Sequence, residues 1–376
     1  MKIKILWQAF IGLLILLLAT PWVKSFYFDS GLRWQYIFAL AFLVSYFVMP
    51  FCIQVASRFD ILDRPNWRKI HERPTPLLGG LGIYVAFCLA LVMNGVFLPG
   101  MRILLLGATM ILLIGLLDDV RPIPAPWKFA LQILVALFVI ILGDIRLTFF
   151  YDQAWAPFLN IPITVLWIVG LTNAMNFFDG VDGLAASLSI ICASFLGLIA
   201  FNTHQPPLGW FAVALVGACL GFFPYNFRIR ESALLFLGDA GSTFLGFTLA
   251  GLAVLGRWSN TSHFVSLSAP ILIFGVLIFD MVYVNLSRIK NSQARNFLGL
   301  LTCVNKDHLH HRLIFMGFAK KEAVFIISTL AVCLGVSALI IMDQQFLQAM
   351  LGLTQALIII GLIVALMLKG RDRDPT

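Results

Sequence analysis

Charged residues are scarce in this chain. Only 12% of its 376 residues are Asp, Glu, Lys or Arg, which is about half the share of a typical soluble domain, and 60% are hydrophobic. Apolar runs of about 17–25 residues recur along the whole chain, and such runs are long enough to cross ~30 Å of hydrocarbon as helices. The composition therefore excludes a large soluble α-helical protein and predicts a polytopic membrane protein.

The cysteines have neither CxxC spacing nor a pairing pattern. Most of them lie inside apolar runs: Cys52, Cys88, Cys192, Cys219, Cys303 and Cys333. We interpret them as small buried hydrophobic residues rather than as a disulfide framework or a metal site. Internal repeats, low-complexity segments and a soluble domain are also absent from the sequence.

Twelve apolar segments predict an all-α polytopic integral membrane protein with about 11–12 transmembrane helices. The segments are 5–23, 34–57, 78–98, 101–117, 128–143, 161–177, 183–201, 209–225, 240–256, 264–287, 323–342 and 346–368. We expect a single multi-span membrane domain, 1–376. It consists of an extra N-terminal span (1–33), a catalytic core (34–342) and a last span with a cytoplasmic tail (346–376). The first segment resembles the apolar region of a signal peptide, but its length and the poor cleavage site at Ala19 favour a retained anchor.

The net charge of +8 is distributed very unevenly over the two sides of the membrane. With twelve spans, 21 of the 26 Lys and Arg residues fall in the connections on one side. The positive-inside rule places that side in the cytoplasm, which argues against nucleic acid as the partner of the basic residues. Nearly all unusual polar residues lie on the same side. This one-sidedness predicts an enzyme or binding site at the cytoplasmic face, whereas a transporter would place its polar residues near the bilayer midplane.

A row of polar residues lies at the seam between the sixth and seventh segments, at a stride of three: Asn173, Asn176, Asp179 and Asp182. This stride keeps side chains on one stripe of a helix or helical turn, so we expect the four to face the same way. Burial without partners would cost several kcal/mol per group. The row therefore predicts a cationic or hydrogen-bonding partner opposite it.

Asp118 and Asp119 end the fourth segment. Acids at a helix C-terminus oppose the helix dipole, so local energetics do not explain them. Two adjacent carboxylates suit a divalent cation or a base beside a ligand, and a solvated helix end is the alternative. Lys128 starts the next segment, either as a membrane-interface anchor or as a phosphate contact.

The stretch from Phe236 to Ser242 precedes the ninth segment. Asp239 occupies a position typical of a helix N-cap, which needs no function. Gly238 and Gly241 allow the backbone to approach a ligand closely, and a helix N-terminus favours phosphate. Phe236 offers an aromatic face on which a base can stack.

A histidine cluster lies in the longest cytoplasmic loop: His308, His310 and His311, followed by Arg312. A helix would present His308 and His311 together, at i and i+3. Zinc is one interpretation, but no third spaced ligand supports it. Anion binding fits three imidazoles beside an arginine better, with a surface patch as the alternative.

Two further features are glycines at the start of one apolar segment and an acid inside another. The glycines Gly79, Gly80 and Gly82 at the start of the third segment predict close contact between helices. Asp280 lies deep in the tenth segment, where an acid is expensive and therefore a functional candidate.

Together these residues place acids that suit Mg²⁺ and cations that suit phosphate at one membrane face. Phosphoryl-group transfer to or from a membrane lipid fits that inventory. Its chemistry depends on positioning and charge neutralisation more than on a strong base.

The same motifs resemble those of the polyprenyl-phosphate N-acetylhexosamine-1-phosphate transferases, of the glycosyltransferase family 4 type. The matching stretches are Asp118-Asp119, the row from Asn173 to Leu184, Gly238 to Ser242, and His308 to His311, in order and spacing over roughly residues 40–340. The resemblance implies transfer of a sugar 1-phosphate from a UDP-sugar donor to undecaprenyl phosphate, with release of UMP. It also implies Mg²⁺, or Mn²⁺ in its place.

By this resemblance, Asp239 is similar to the metal ligand, and Asp118, beside Asp119, to the residue that activates the lipid phosphate and adjoins the metal. Phe236 would stack on uracil. The nucleotide pocket would be lined by the polar row, and Lys128 and the histidine cluster would hold the diphosphate.

The segment from Asp307 to Leu313, together with Arg68, Lys69 and His71, resembles the branch that uses UDP-N-acetylglucosamine and starts a cell-envelope glycan such as O-antigen or teichoic acid. The alternative is the phospho-N-acetylmuramoyl-pentapeptide translocase, which typically has a Pro-x-His-His-His-x-Glu pattern there. A twelve-span transporter is a distant alternative. The resemblance implies a bacterial inner membrane with the site facing the cytoplasm, and analogy suggests a homodimer.

Overall fold

The computed structural model describes residues 2–64, 74–148, 155–260, 263–290, 307–342 and 346–371, which are almost entirely helical. The first helices are α1 (Lys2–Ala19), α2 (Pro21–Asp29), α3 (Arg33–Arg58), α4 (Gly79–Asn94), α5 (Pro99–Val120) and α6 (Ala125–Gly143). The next are α7 (Ala156–Phe177), α8 (Leu184–Asn202), α9 (Pro206–Asn226) and α10 (Gly238–Leu255). The last are α11 (His263–Ile273), α12 (Gly275–Lys290), α13 (Leu309–Phe315), α14 (Lys320–Ile341) and α15 (Phe346–Arg371). Between α3 and α4, β1 (Leu62–Asp63) pairs antiparallel with β2 (Thr75–Pro76).

Within the described ranges, nine helices are long and apolar enough to cross a membrane, and two bent pairs bring the number to eleven. The pairs are α1–α2, bent by 64°, and α11–α12, bent by 72°. Pro21 opens α2 and cannot donate a backbone hydrogen bond to the preceding turn, which favours the first bend. The helix α4 has only 16 residues, or about 24 Å at 1.5 Å per residue, and falls short of a full span. The polytopic all-α prediction is confirmed, with eleven spans at its upper count.

The most deeply buried helix is α10, which packs against α4, α5, α7 and α8. Glycines make these contacts close. A Cβ at Gly80 would collide with the backbone of Gly241, and one at Gly115 with the backbone of Ala240. The close helix contact predicted for Gly79 and Gly80 is thereby confirmed. These crossings bring the N-termini of α4 and α10 against the C-terminus of α5.

Candidate active site

Three charged side chains meet where α5, α6 and α10 converge. The Lys128 ammonium donates to Oδ2 of Asp118 at 2.7 Å and to Oδ2 of Asp239 at 2.6 Å. Asp118 also accepts the Ile123 backbone N–H through Oδ1 at 2.6 Å. The side chains of Lys128 and Asp118 are 14% and 9% exposed, whereas that of Asp239 is 39% exposed. Lys128 is therefore bound inside a site and does not serve as a membrane-interface anchor, and Asp239 is the member of the trio most open to a ligand.

Asp119 has a different task from its neighbour. Its carboxylate accepts the backbone N–H groups of Asp239 (2.8 Å) and Ala240 (3.1 Å). These are N–H groups of the first turn of α10, which have no partner within their own helix. The acid that opposes the dipole of α5 thus complements the N-terminus of α10. The solvated-end interpretation is wrong for Asp119. The N-cap interpretation of Asp239 is wrong too, because α10 begins at Gly238 and its capping oxygens come from Asp119.

Gly238 permits this junction. Its φ is +75°, a value that side chains disfavour, and a Cβ there would lie 2.6 Å from the Leu77 oxygen and 2.7 Å from Oδ2 of Asp119. Any other residue would push Asp119 away from the start of α10. The glycine therefore permits the capping of α10 by Asp119, and the close approach of a ligand at Gly238 stays a prediction.

The polar row does not stay on one stripe. The helix α7 ends at Phe177, a short 3₁₀ turn spans Phe178–Gly180, and Val181 is extended. Only Asn173 and Asn176 therefore share the face of one helix. The prediction that all four side chains face the same way is wrong, because the chain changes its helical geometry halfway along the row.

Asn173 and Asn176 have different partners. The Asn173 amide donates to Oε1 of Gln132 on α6 at 2.6 Å and to the Val169 carbonyl at 2.8 Å. The Asn176 amide donates to Oδ1 of Asp239 at 2.7 Å and to the Ser242 hydroxyl at 2.9 Å. Asn176 thus belongs to the acid–lysine group, whereas Asn173 binds within the helix interface.

Asp179 and Asp182 extend the acidic region. Asp179 is within electrostatic reach of Asp239, Asp119 and Asp182, all of which repel its charge. Oδ2 of Asp182 accepts the Ala233 backbone N–H at 3.3 Å and so links the row to the loop before α10. Carboxylates accumulate here around a single ammonium, which favours a further cation.

Phe236 is fixed by its backbone. Its N–H donates to the Pro76 carbonyl at 2.8 Å, and its carbonyl accepts the Gly79 N–H at 3.0 Å. These bonds tie the loop before α10 to β2 and to the start of α4. The ring is half-buried, and its stacking on a base stays a prediction.

The histidine cluster begins at a buried acid. Nδ1 of His308 lies 2.7 Å from Oδ2 of Asp280, and Oδ1 of Asp280 accepts the Leu309 N–H at 2.7 Å. Asp280, suspect as an isolated acid, therefore has two partners in the histidine segment. Because α13 begins only at Leu309, the prediction that a helix presents His308 and His311 together is wrong.

His310 is the most buried of the three histidines, at 1% exposed. Its ring centroid lies 4.2 Å from that of His311 and 5.8 Å from that of Phe178. Burial lowers the pKa of His310 well below its usual range, and His311 and His308 lower it further. In the part of the chain that the structure describes, neither ring nitrogen has a hydrogen-bond partner. A Cβ at Gly180 would lie 3.2 Å from its Nε2, so this neutral, unsatisfied ring abuts the turn that carries Asp179.

Two buried arginines lie near the cluster. Arg312 is buried on α13, where its backbone N–H donates to the His308 carbonyl at 3.1 Å. Arg288 donates from Nε and Nη2 to the two carboxylate oxygens of Asp307, both at 2.7 Å. Burial raises the pKa of Asp307, but the hydrogen bonds from Arg288 outweigh it, and the pKa lies below its usual range. The sequence-predicted contributors Arg68, Lys69 and His71 lie outside the described residues.

Sequence reasoning missed four residues that hold the site together. Asn226 accepts the Gly183 N–H at 2.7 Å and donates to the Leu235 carbonyl at 3.0 Å, which joins two loops of the site. Gln132 and Ser242 support the two asparagines of α7, and Arg288 holds Asp307. Two of these residues, Asn226 and Arg288, are polar residues at the end of an apolar segment. This position was the one signal in the sequence that could have indicated them as site residues.

Comparison with known proteins gives relatives along most of the chain. The family model "Glycosyl transferase family 4" matches residues 101–257. A probable undecaprenyl-phosphate N-acetylglucosaminyl 1-phosphate transferase of Bacillus subtilis (strain 168) is 32% identical over 313 residues, covering 81% of this chain and 84% of that protein. The decaprenyl-phosphate N-acetylglucosaminephosphotransferase of Mycolicibacterium smegmatis is 30% identical over 370 residues, covering 88% of each chain.

A third relative extends the comparison. The undecaprenyl-phosphate alpha-N-acetylglucosaminyl 1-phosphate transferase of Escherichia coli K12 is 27% identical over 300 residues, covering 78% of this chain and 79% of that protein. The matched family segment contains residues that the fold brings together, namely Asp118, Asp119, Lys128, Asn176 and Asp239. On these grounds the chain belongs to glycosyl transferase family 4.

Proposed function

We propose that this protein transfers N-acetylglucosamine 1-phosphate from UDP-N-acetylglucosamine to undecaprenyl phosphate and thereby starts a lipid-linked envelope glycan. The observation that carries the proposal is the convergence of Asp118, Lys128, Asn176 and Asp239 at one end of a membrane helix bundle. The names of the relatives support the same transferred group and a polyprenyl phosphate acceptor.

The carboxylate oxygens of the site fit Mg²⁺ as ligands. Oδ2 of Asp118 and Oδ2 of Asp239 both contact the Lys128 ammonium, so the two carboxylates already converge on one cationic position. No group of three His, Cys, Asp or Glu side chains among the described residues could hold a metal alone. Mg²⁺ commonly uses one or two carboxylates, with waters and substrate phosphates completing its shell. Asp239 and Asp118 would hold the ion, which when bound neutralises the charge of the diphosphate.

The chemistry requires one bond to form and one to break at the β-phosphorus of the donor. An oxygen of the lipid phosphate attacks that phosphorus, and the bond to the α-phosphate breaks, so UMP leaves and the sugar 1-phosphate passes to the lipid. Asp118 orients the attacking phosphate beside Asp239. Lys128 moves from the acids to the diphosphate oxygens as the substrate brings its own charges. The row residues Asn176 and Asp179 contact the nucleotide.

The histidine segment lies on the same side of the site. Among the described residues, the two buried ring nitrogens of His310 have no hydrogen-bond partner, and they lie against the turn of Asp179. A phosphate oxygen would accept from the N–H of this neutral ring, and a ribose hydroxyl would donate to its other nitrogen. His311 and Arg312 follow on the same short helix. We assign these residues, with His308, to the donor diphosphate. The positive-inside charge distribution supports a site facing the cytoplasm, and the lipid acceptor enters laterally from the membrane.

The proposal is tested with purified protein in detergent, undecaprenyl phosphate, Mg²⁺ and a panel of UDP-sugars, with UMP release as the readout. We expect UMP from UDP-N-acetylglucosamine, and we expect Asp239→Asn to remove at least 99% of it. Asp144→Asn is the matched control, since Asp144 is exposed and paired with Arg146 away from the site. UMP only from UDP-N-acetylmuramoyl-pentapeptide would identify the peptidoglycan-precursor translocase instead, and an active Asp239→Asn would overturn the metal assignment.

A second arm of the experiment tests the reaction sequence. In the absence of lipid phosphate, direct transfer predicts no sugar phosphate bound to the protein. A trapped sugar phosphate on an aspartate would replace direct attack with a covalent route.

A further inference from the structure

Two buried charged residues on α12 are unused by the proposed chemistry. Asp280 is 1% exposed and Arg288 is 3% exposed, with the buried Val284 midway between them. Spacings of four and eight residues put all three on one face of the helix. Buried charges inside an apolar helix are costly unless they are paired, so this face has been built around specific partners.

The partners are three consecutive residues at the base of the histidine segment. Arg288 forms a bidentate pair with Asp307, and Asp280 binds the His308 ring and the Leu309 N–H, with every bond at 2.7 Å. One face of α12 thus holds residues 307–309 at two points, about two helical turns apart. We name Asp280 and Arg288 together the α12 clamp.

The clamp determines which nitrogen of His308 can meet a ligand. A carboxylate only accepts hydrogen bonds, so Nδ1 of His308 carries the hydrogen and points towards α12. Among the described residues, Asp280 is the one hydrogen-bond partner of this ring. Nε2 is then the nitrogen left for a ligand.

Neighbouring rings hold the imidazole in place. The His308 centroid lies 4.9 Å from that of Phe177 and 6.1 Å from that of His310, to which it is nearly parallel at 5°. Phe177 is the last residue of α7 and follows Asn176 directly. The imidazole therefore sits against the end of the helix that delivers Asn176 to Asp239.

We propose that Asp280 and Arg288 are positioning residues that lock His308 with Nδ1 on α12 and Nε2 towards the donor diphosphate. This inference rests on the proposed function. A carboxylate behind an imidazole fixes its tautomer and its orientation. Arg288 fixes the chain from the other end, so that the ring keeps its angle when the diphosphate binds and leaves.

The experiment separates positioning from plain support of the fold. Asp280→Asn keeps the size of the side chain and an oxygen for the Leu309 N–H, but it removes the charge and supplies an amide hydrogen towards Nδ1. We expect kcat for UMP release to fall about 10–100-fold, as for other residues that orient a functional imidazole, with little change in melting temperature. Asn285→Ala is the control on the same helix, because its amide bonds only to the Met281 carbonyl among the described residues.

The double variant is decisive. If Asp280 acts through His308, Asp280→Asn in a His308→Gln background lowers kcat less than threefold further. An equal fold-loss in both backgrounds, or a wild-type kcat in Asp280→Asn, overturns the inference. A loss of activity that only parallels a loss of melting temperature overturns it too.

Arg288→Lys provides an independent route should Asp280→Asn fail to fold. Lysine keeps the charge but not the bidentate geometry, so we expect a smaller loss of kcat that also vanishes in the His308→Gln background. If Arg288→Lys lowers kcat by the same factor with and without His308→Gln, the result counts against the α12 clamp. Absence of UMP release by the wild-type protein would overturn the proposed function and this inference together, whereas an active wild type with an unaffected Asp280→Asn overturns this inference alone.

Discussion

Replacing Lys128 by methionine tests whether its ammonium stands where a divalent cation is needed. Nζ lies 2.7 Å from Asp118 and 2.6 Å from Asp239, so the two contacting oxygens are at most about 5.3 Å apart. At an effective dielectric constant of about 20, two unit charges at that separation repel by about 3 kcal/mol. Methionine keeps most of the side-chain volume and removes the charge that offsets this repulsion.

A divalent cation would then relieve the repulsion. A free energy of 3 kcal/mol corresponds to roughly a hundredfold change in affinity, but Asp239 is 39% exposed and water screens part of the interaction. We therefore expect Mg²⁺ to bind Lys128→Met at least about tenfold more tightly than it binds the wild type. We also expect UMP release to fall at least about a hundredfold, because the diphosphate loses a cation.

The assay measures the melting temperature of detergent-solubilised protein over a series of MgCl₂ concentrations, since a ligand that binds only the folded state raises it. The expected result is a lower melting temperature without Mg²⁺ and a larger, earlier rise with it. Lys24→Met is the matched control, because Lys24 lies over the Phe28 ring on α2, away from the acids. A Lys128→Met protein whose melting temperature responds to Mg²⁺ no more than the wild type would refute the reasoning.

Three further predictions concern residues around the same centre. Gly238→Ala should lower the melting temperature and remove most of the activity, because a Cβ would lie 2.7 Å from Oδ2 of Asp119. A variant with wild-type melting temperature and activity would contradict the role of Asp119 in capping α10. Asn176→Ala should reduce UMP release more than tenfold, since Asn176 contacts Asp239. Asn173→Ala should change UMP release less than threefold and lower the melting temperature, since Asn173 binds Gln132 in the helix interface. Equal activity losses in the two variants would count against these separate roles. Burial lowers the pKa of His310, so its ring stays neutral in the folded protein at a pH where it takes up a proton in the unfolded chain. The free energy of unfolding should therefore fall as pH drops below about 6.5, by up to about 1.4 kcal/mol per pH unit. Melting curves of wild type and His310→Asn at pH 8 and 5.5 measure this, and an equal acid-induced loss in both proteins would exclude His310 as its source.

Much of this architecture could be predicted because the bilayer imposes simple rules. Apolar run length located most spanning helices to within a few residues, but it also counted α4, which falls short of a full span. The glycines of α4 indicated close packing. The bends at α1–α2 and α11–α12 were missed because a run of hydrophobic residues has the same composition whether it is straight or broken. Hydropathy indicates which segments are apolar enough for the membrane, but it carries no information about the direction of the helix axis.

The members of the site could be predicted in part, but their pairing could not. The motifs and their resemblance to a known family selected Asp118, Asp119 and Asp239 as a set, yet sequence alone could not tell which acid would bind Lys128 and which would cap α10. That division depends on where the C-terminus of α5 meets α10, a contact between residues about 120 positions apart. Likewise the stride of three from Asn173 to Asp182 indicated one stripe, because a periodic pattern cannot show that the helix changes to a 3₁₀ turn after Phe177.

The position of α10 explains why the separate motifs act together. Its first turn is held by Asp119 from α5, is approached closely by α4 through Gly80, and presents Asp239 to Asn176 from α7 and to Lys128 from α6. The helices α4, α5, α6 and α7 therefore each contribute one side of a single helix N-terminus. Such an end, with its dipole favouring anions, lies beside carboxylates that favour cations. A metal–diphosphate complex carries both signs of charge, so it suits this junction better than a free anion or a free cation would.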